Sequence, residues 1–398
     1  MRLSTFNTYS TALDTLVDRQ ARLAGTQEQM TTGKRVNRAS DDPAAAARAE
    51  RALAAERRAV ASQRAVDASN NAMTLTESAL GDAGDLLQSA REAMVAAGNA
   101  TYGDAERNGI ADQLQDLRDQ LFAVANRSDG AGTYLFGGQG ASQAPFVDQP
   151  GGVQFQGSSG QLQSASGEAL PLTVDGEATW MQARTGNGVF ETRVVASAGA
   201  AVIDAGKVVD PAQLTGSTYR LQFSVGGGST TYSVLKDGNP TAQTNLPFTP
   251  GQAIQVDGMS ATITGAPANG DAFELAPASS GLSVFDALDQ AIADLRTPGR
   301  SNTQIAQGNA FALTRIDSVL GQLSSGRAQV GALMNRVDAA TERLSALKLS
   351  SQTERSNAED LDMTQAISDF SNQQTGYDAA LKAYSMVQRL SLFNYINT

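Results

Sequence analysis

The chain of 398 residues contains no cysteine and no histidine. Those absences exclude zinc sites built from the usual ligands, thiol nucleophiles and every triad that depends on an imidazole base. Enzyme readings shrink to carboxylate, lysine or tyrosine chemistry, and disulfides report nothing about the redox compartment because none can form. Positive charge is also short. Against 41 Asp and Glu there are 30 Lys and Arg, a net charge of -11, and a field of that sign repels nucleic acid and anionic membrane. Neither is expected as a partner. Long hydrophobic runs are missing as well: no stretch approaches the ~18 continuous apolar residues of a membrane span. The opening MRLSTFNTYSTALDTL lacks the apolar run of a secretory leader. The expectation is a protein that stays inside the cell or leaves by a route needing no cleaved signal.

What is present is unevenly spread. Of 38 glycines, 23 fall between Gly137 and Gly281, as do nine of the 11 prolines, and only five Lys or Arg lie there. A chain of this length is expected to form two or three domains, and this shift marks residues 140–281 as one of a different structural class.

Outside that stretch the pattern is helical. Tyr9, Leu13, Leu16, Gln20, Leu23, Gln27 and Met30 alternate steps of four and three, a coiled-coil-like seam. Gly33 follows where a helix C-cap would sit. In NRASDDPAAAARAE, Ser40 or Asp41 can cap a long helix, with Pro43 suited to its first turn. Val66, Met73, Leu80, Leu87 and Met94 then repeat every seven residues, each followed three on by Ser69, Thr76, Ala83, Ala90 and Ala97. Large alternates with small, which predicts a closely approaching partner helix. GNATYGD breaks the pattern, and Ile110, Leu114, Leu117, Leu121 and Val124 open another seam.

After the glycine-rich stretch, Ser283 to Asp286 reads as a capping box with an acidic third residue. Beyond Asn302 the heptad returns, with Ile316, Leu323, Val330, Val337 and Leu344 at one seam position. The two five-heptad seams are expected to pair antiparallel as the core of a rod. Ile367, Phe370, Gln374, Tyr377, Leu381, Tyr384 and Gln388 form a last seam like the first. N- and C-terminal helices are therefore expected side by side. Apolar residues continue to the end as Leu390, Leu392, Phe393, Tyr395 and Ile396, where chain ends are usually polar. A narrow seam does not clearly offset the entropy of ordering two dozen residues, so both ends are expected to order on assembly.

The middle stretch reads as antiparallel sheet. Tyr219, Leu221, Phe223 and Val225 alternate with polar residues before a triple-glycine turn into TTYSVL. AIQVDGMSATIT places Asp257-Gly258 at a hairpin turn. The fold class expected is mainly α: an antiparallel helical coiled-coil rod built from both halves of the chain, with an inserted antiparallel β domain. Its parts are 1–33 with 363–398 as a terminal helix pair, 34–139 with 282–362 as the rod, and 140–281 as the insert.

Candidate sites weigh toward structure. Asp41 and Asp42 point about 100° apart on a helix and suit capping better than catalysis. Asp360 and Asp362 lack the glycine-bearing loop and closing Glu of a calcium site. Residues 34–64 carry eight basic and four acidic side chains, a pattern usual for a solvated or ion-paired helix face. We expect Arg35 and Arg38 to approach the acidic cluster of Glu354, Glu359, Asp360 and Asp362, within or between subunits. GGQGASQ lacks the third glycine of a dinucleotide fingerprint and suits a turn. Asp237, Asp257, Asp271 and Glu274 supply carboxylates to the sheet domain without an identifiable acid and base pair. No cofactor and no catalytic residue is expected, and an adhesin or an enzyme carried in the sheet domain is the remaining alternative.

A family comes into view at TTGKRVNRASDDPAAAARAE, residues 31–50. Behind an amphipathic first helix, it resembles the signature shared by bacterial flagellins and hook-associated junction proteins. NRSDGAGTYLFGGQGASQAPF and the ending ALKAYSMVQRLSLFNYI resemble the junction branch more than flagellin itself, and Ala266–Leu275 is similar to sheet segments of hook-associated proteins. The resemblance implies a structural protein without enzymatic activity, secreted to the extracellular flagellum through type III export and held before assembly by a chaperone on its C-terminal segment. It also implies a ring of copies between hook-associated protein 1 and the first flagellins, with a filament subunit as the alternative. In such a tube Leu13, Leu16, Leu23, Met30, Ile367, Phe370, Tyr377, Leu381 and Tyr384 would form the assembly seam.

Overall fold

The computed structural model describes residues 5–164 and 169–396. Its helices are α1 (Thr5–Thr32), α2 (Pro43–Ala97), α3 (Asp104–Ala125), α4 (Gly176–Trp180), α5 (Val284–Arg296), α6 (Asn302–Glu359) and α7 (Met363–Ile396). The chain divides into two compact units, residues 1–64 with 340–398 and residues 65–339. Both divisions fall inside continuous helices, between residues 64 and 65 of α2 and between 339 and 340 of α6.

In the first unit α1 packs along α7. Gly33 ends α1 at φ +70°, donating its N–H to Gln29 at 2.8 Å, the left-handed closure that a side chain would strain. The cap of α2 is neither Ser40 nor Asp41. Pro43 is the first helical residue, so the cap falls on Asp42, whose carboxylate accepts the Ala45 N–H at 3.0 Å. That hydrogen bond, with the neighbouring Arg35, holds the Asp42 carboxyl below its usual range. Asp41 instead accepts the N–H groups of Asn37 and Arg38 at 3.0 and 2.8 Å and shapes the approach to the helix.

In the second unit α2 and α6 run antiparallel, tied by Arg91 to Asp317 at 2.6 Å and by Arg327 to Glu77 at 2.5 Å. Val66, Met73, Leu80, Leu87, Met94, Ile316, Leu323, Val330 and Val337 are all at most 2 % exposed. All of these but Val66 and Val337 share one core with α3 and α5, which pack on each other. The small positions of the repeats do not all face a partner helix. Ser69 donates to the Pro171 carbonyl at 2.6 Å, and a Cβ on Gly326 would meet Thr179 of α4 at 3.3 Å. Small residues on these helices make room for the inserted chain as well as for each other.

The strands are β1 (Phe146–Gln149), β2 (Gly152–Phe155), β3 (Ala183–Arg184), β4 (Phe190–Ala196), β5 (Val202–Ile203), β6 (Lys207–Val208), β7 (Tyr219–Gly226), β8 (Ser229–Lys236), β9 (Asn239–Pro240), β10 (Leu246–Pro247), β11 (Ala253–Val256), β12 (Met259–Thr264), β13 (Ala272–Pro277) and β14 (Ser280–Leu282). One sheet has the order β10-β8-β7-β13-β4 with β9 on β8, and another β11-β12-β5 with β6 on β12. All these pairings are antiparallel. Tyr219, Leu221 and Phe223 are buried while Arg220, Gln222 and Ser224 are exposed, so the period of two sets the face that meets the core.

Both expected hairpins are present. Gly227 and Gly228 turn β7 into β8, and Asp257 and Gly258, at φ 37° and 78°, turn β11 into β12. Two successive positive φ values define the turn whose twist matches the flanking strands. Gly258 is further constrained because a Cβ there would lie 2.1 Å from the Asp210 carbonyl.

The stretch between the helices has two different attachments. Phe136, Phe146 and Trp180 belong to the helical core, where Trp180 stacks on Phe285 of α5 at 6.1 Å and takes Phe136 edge-on at 5.3 Å. Arg118 of α3 binds Asp148 of β1 and Asp289 of α5 at 2.5 and 2.8 Å and is itself almost buried. A separate core begins with Phe190 and joins Ile203, Tyr219, Leu221, Phe223, Ile263 and Phe273. Gln307 of α6 attaches this β core, accepting the Ile203 N–H at 2.8 Å and donating to the Ile203 carbonyl at 2.9 Å.

Candidate assembly surface

The two turns that lead into α2 and α7 meet. Lys34 and Asp360 form an antiparallel bridge, with the N–H of Arg35 donating to the Glu359 carbonyl at 2.7 Å and that of Leu361 to Gly33 at 3.0 Å. Arg35 adds its guanidinium to the Ala358 carbonyl at 2.8 Å and pairs with Asp42 at 3.2 Å. Lys34, not singled out from the sequence, makes the ion pair with Glu359 at 3.2 Å. Arg38 pairs with Glu28 of α1 at 3.2 Å, with both side chains largely in water.

Asp362 accepts the N–H groups of Thr364 and Gln365 at 2.9 and 3.1 Å and caps α7. Asp360 takes the Ser356 hydroxyl. Thus the basic and acidic residues of both turns fix backbone first and pair charges second. The backbone order has a physical cause: a carbonyl at the end of α6 has no helical partner and accepts whatever donor crosses it.

Along the terminal helix pair, Leu16, Leu23, Met30, Phe370, Tyr377 and Tyr384 are half-buried, and among the described residues only Thr26 and Ala366 are buried apart from the turns. Leu13, Val17, Ile367, Leu381 and Met386 remain exposed, Ile367 to 55 % and Leu381 to 41 %. The Thr26 hydroxyl lies 3.0 Å from Gln373 Oε1, so the glutamine facing α1 is Gln373, while Gln20, Gln27 and Gln374 are exposed. Gly376 leaves space for Arg19, whose Nη1 would be 2.6 Å from an added Cβ. The side chains of Tyr9, Gln388, Leu390, Leu392, Phe393, Tyr395 and Ile396 lie outside the described residues. A helix pair that leaves a row of large apolar side chains in water presents a surface for other helices.

Leu344, the last of the rod-core residues read from the heptad, is half-buried and lies in the first unit with the exposed Leu347 and Leu349. The four sheet carboxylates have structural partners. Asp257 accepts from Tyr219 and from Lys236 at 2.8 Å, and the ammonium foremost holds its carboxyl below the ordinary range. Asp237 accepts the Thr218 N–H at 2.9 Å, and that bond lowers its pKa too. Buried Asp271 accepts three N–H groups, from Ala198, Gly199 and Ala268, and Glu274 pairs with Arg220 at 3.2 Å.

Sequence reading missed Lys34, Arg118, Gln307 and the cluster around Trp180. Arg118 could have been noticed as a charge inside the apolar Leu114–Leu117–Leu121 stripe, where a buried cation requires anions. Gln307 carries no such mark.

No helix among the described residues is long and apolar enough to cross a membrane. The description "bacterial flagellin N-terminal helical region" matches residues 3–141, and "bacterial flagellin C-terminal helical region" matches residues 313–396. The chain belongs to the bacterial flagellin family. Within that family it is similar to flagellar hook-associated protein 3 of Escherichia coli, 27% identical over 397 residues and 99% of each chain. A solved structure of the flagellar junction protein FlgL from Legionella pneumophila is 27% identical, covers 70% of this chain and 94% of that one, and superposes with a TM-score of 0.65. Similarity to the flagellar filament 41 kDa core protein of Borreliella burgdorferi is 31% identity, but over 134 residues, 34% of this chain and 40% of that one. The flagellin-like helical ends are thus shared across the family, and the likeness that runs through the β insert is to hook-associated protein 3.

Proposed function

We propose that the protein is a structural adaptor of the bacterial flagellum, joining the hook to the flagellin filament as hook-associated protein 3 does. The observation that carries this reading is the 99% coverage of the hook-associated relative against 34% for the filament protein. A filament subunit would share the helical ends without sharing the middle. Its place of action is the extracellular flagellum, at the junction of hook and filament.

The finer organisation follows from the terminal pair. Copies of the chain form a ring, each lending α1 and α7 to an inner layer in which Leu13, Leu16, Leu23, Met30, Ile367, Phe370, Tyr377, Leu381 and Tyr384 meet equivalent residues of neighbours. Hook-associated protein 1 lies below the ring and flagellin above it. Before assembly, an export chaperone covers the C-terminal segment. Exposure of Ile367 and Leu381 supports this reading, because apolar rows of that kind are normally covered by a partner. The helical segments 34–139 and 282–362 form the stiff part of each copy, and the β-rich insert faces outward.

Electron microscopy of the purified, concentrated chain tests the adaptor reading. Short or no assemblies are expected from the chain alone, with a cap on hooks that already carry hook-associated protein 1, and filament growth when flagellin is then added. Unaided growth of long filaments would replace the adaptor by a filament subunit.

A further inference from the structure

Between the edge of β4 and the first turns of α6 lies a cavity of about 340 Å³, at the lower end of the size range of small-ligand sites. Its polar wall is formed by Thr185, Glu191, Thr192, Arg193, Thr314 and Arg315. All but one of these already have partners. Thr185 accepts the Ser279 N–H at 3.0 Å, Thr192 donates to the Asp204 carbonyl at 2.7 Å, and Thr314 donates to Ala310 at 2.9 Å. Glu191 and Arg193 are bound to each other.

Arg315 is the exception. The residue is half-buried and has no hydrogen bond or ion pair among the described residues. Burial depresses its pKa, and the charge of Asp294 opposes that only in part. Asp294 is itself 3.7 Å from Arg300. A cation taken out of water without an anion is costly, and such groups are found paired.

We infer that this cavity is a binding site for one carboxylate carried on a short apolar stem, gripped by the Arg315 fork. With Glu191 and Arg193 cancelling, the wall carries one uncompensated positive charge, which a monoanion neutralises. The hydroxyl protons of Thr192 and Thr314 are committed to carbonyls and Thr185 is occupied by Ser279, so the strongest donors left are those of the Arg315 guanidinium, whose planar fork matches a carboxylate in two parallel bonds. A tetrahedral dianion would bring more charge and more acceptors than this wall can satisfy. Phe311, Val194 and Ala205 supply the apolar wall for the stem. The same chemistry belongs to a free short-chain acid and to a Glu or Asp side chain of a second copy.

Phenylglyoxal modification of arginines in the full chain, mapped by peptide mass spectrometry, separates the sources, with largely exposed Arg38 as the internal reference. Arg315 is compared in single copies with sodium chloride, in single copies with sodium butyrate at equal ionic strength, and in junctions assembled on hooks. For a free acid, butyrate slows modification of Arg315 several-fold while Arg38 is unchanged, and butyrate raises the melting temperature of the parent but not of Arg315→Met. That variant removes an unpaired, half-buried cation and keeps most of the stem, so it folds about as stably as the parent.

For a neighbour's side chain, protection is confined to the assembled junction, Arg315→Gln assembles less well, and Arg315→Glu less well still. Equal modification in all three states overturns the inference, as does protection on assembly combined with undiminished assembly of Arg315→Glu. The cavity is argued from one copy and does not depend on the junction reading. Butyrate protection in a chain that never caps hooks would therefore break only the latter.

Discussion

Two regions built from the same kind of seven-residue repeat end in opposite states. In the second unit Met73, Leu80, Leu87 and Leu323 are at most 2 % exposed, because α3, α5 and the Trp180 cluster close over α2 and α6. In the terminal pair, where α1 packs along α7, Leu13, Ile367 and Leu381 stay between 38 and 55 % exposed. A heptad therefore specifies which residues seek burial, and the number of neighbouring elements decides whether one chain can provide it. The first region closes its seam within one chain; the second leaves its seam open.

The sharpest way to break this contrast is to place the same charge in both regions. Leu323→Asp should destabilise the folded chain by about 4 kcal/mol or more, since it buries an unpaired carboxylate in a closed core. Urea unfolding followed by circular dichroism reads that loss. Leu381→Asp should change stability within about 0.5 kcal/mol, as expected for an exposed site, yet abolish capping of hooks. Reversed outcomes would exchange the roles given to the two seams.

A smaller effect is expected at Arg118, the charge that joins the bundle to β1. Replacement by Met leaves Asp148 and Asp289 unpaired but partly in water, with a loss of about 1–3 kcal/mol at neutral pH. The Arg118 hydrogen bond depresses the Asp148 pKa in the folded state. Its stabilisation is therefore present above the ordinary carboxylate value near ~3.9 and is lost as pH falls through the lower folded value. Urea midpoints of parent and Arg118→Met should converge in acid. A constant gap from neutral pH to below that range would mean that packing, and not charge, sets the effect.

The smallest change belongs to Arg38→Ala. Its pair with Glu28 is largely exposed, so the stability should stay within about 0.5 kcal/mol of the parent. Assembly is the informative readout here: a normal junction from this variant would remove Arg38 from any contact between subunits.

Much of the architecture was legible in the sequence because periodicity is local. The seams at Val66–Met94 and Ile316–Val337, the Ser283 cap and the turns at Gly227-Gly228 and Asp257-Gly258 each need only neighbouring residues to declare themselves. What stayed hidden depends on distant partners. Gln373 and Gln374 are indistinguishable until the phase of α1 is fixed. Phe136, Phe146, Trp180 and Phe285 are scattered over a long stretch, so their shared core cannot be read from spacing. At the two turns, charge suggested Arg35 and Arg38 as partners of the acidic cluster. There Lys34 took the Glu359 carboxylate, while the Arg35 backbone N–H and guanidinium took the carbonyls of Glu359 and Ala358.

The short ladder between those turns has a mechanical consequence. Arg35 N–H on the Glu359 carbonyl and Leu361 N–H on that of Gly33 tie the base of α1 to the base of α7. Tension applied to either terminal helix reaches both turns together, and the load is divided before it enters α2 or α6. In a rotating fibre, such sharing would let one strained end recruit the strength of the other.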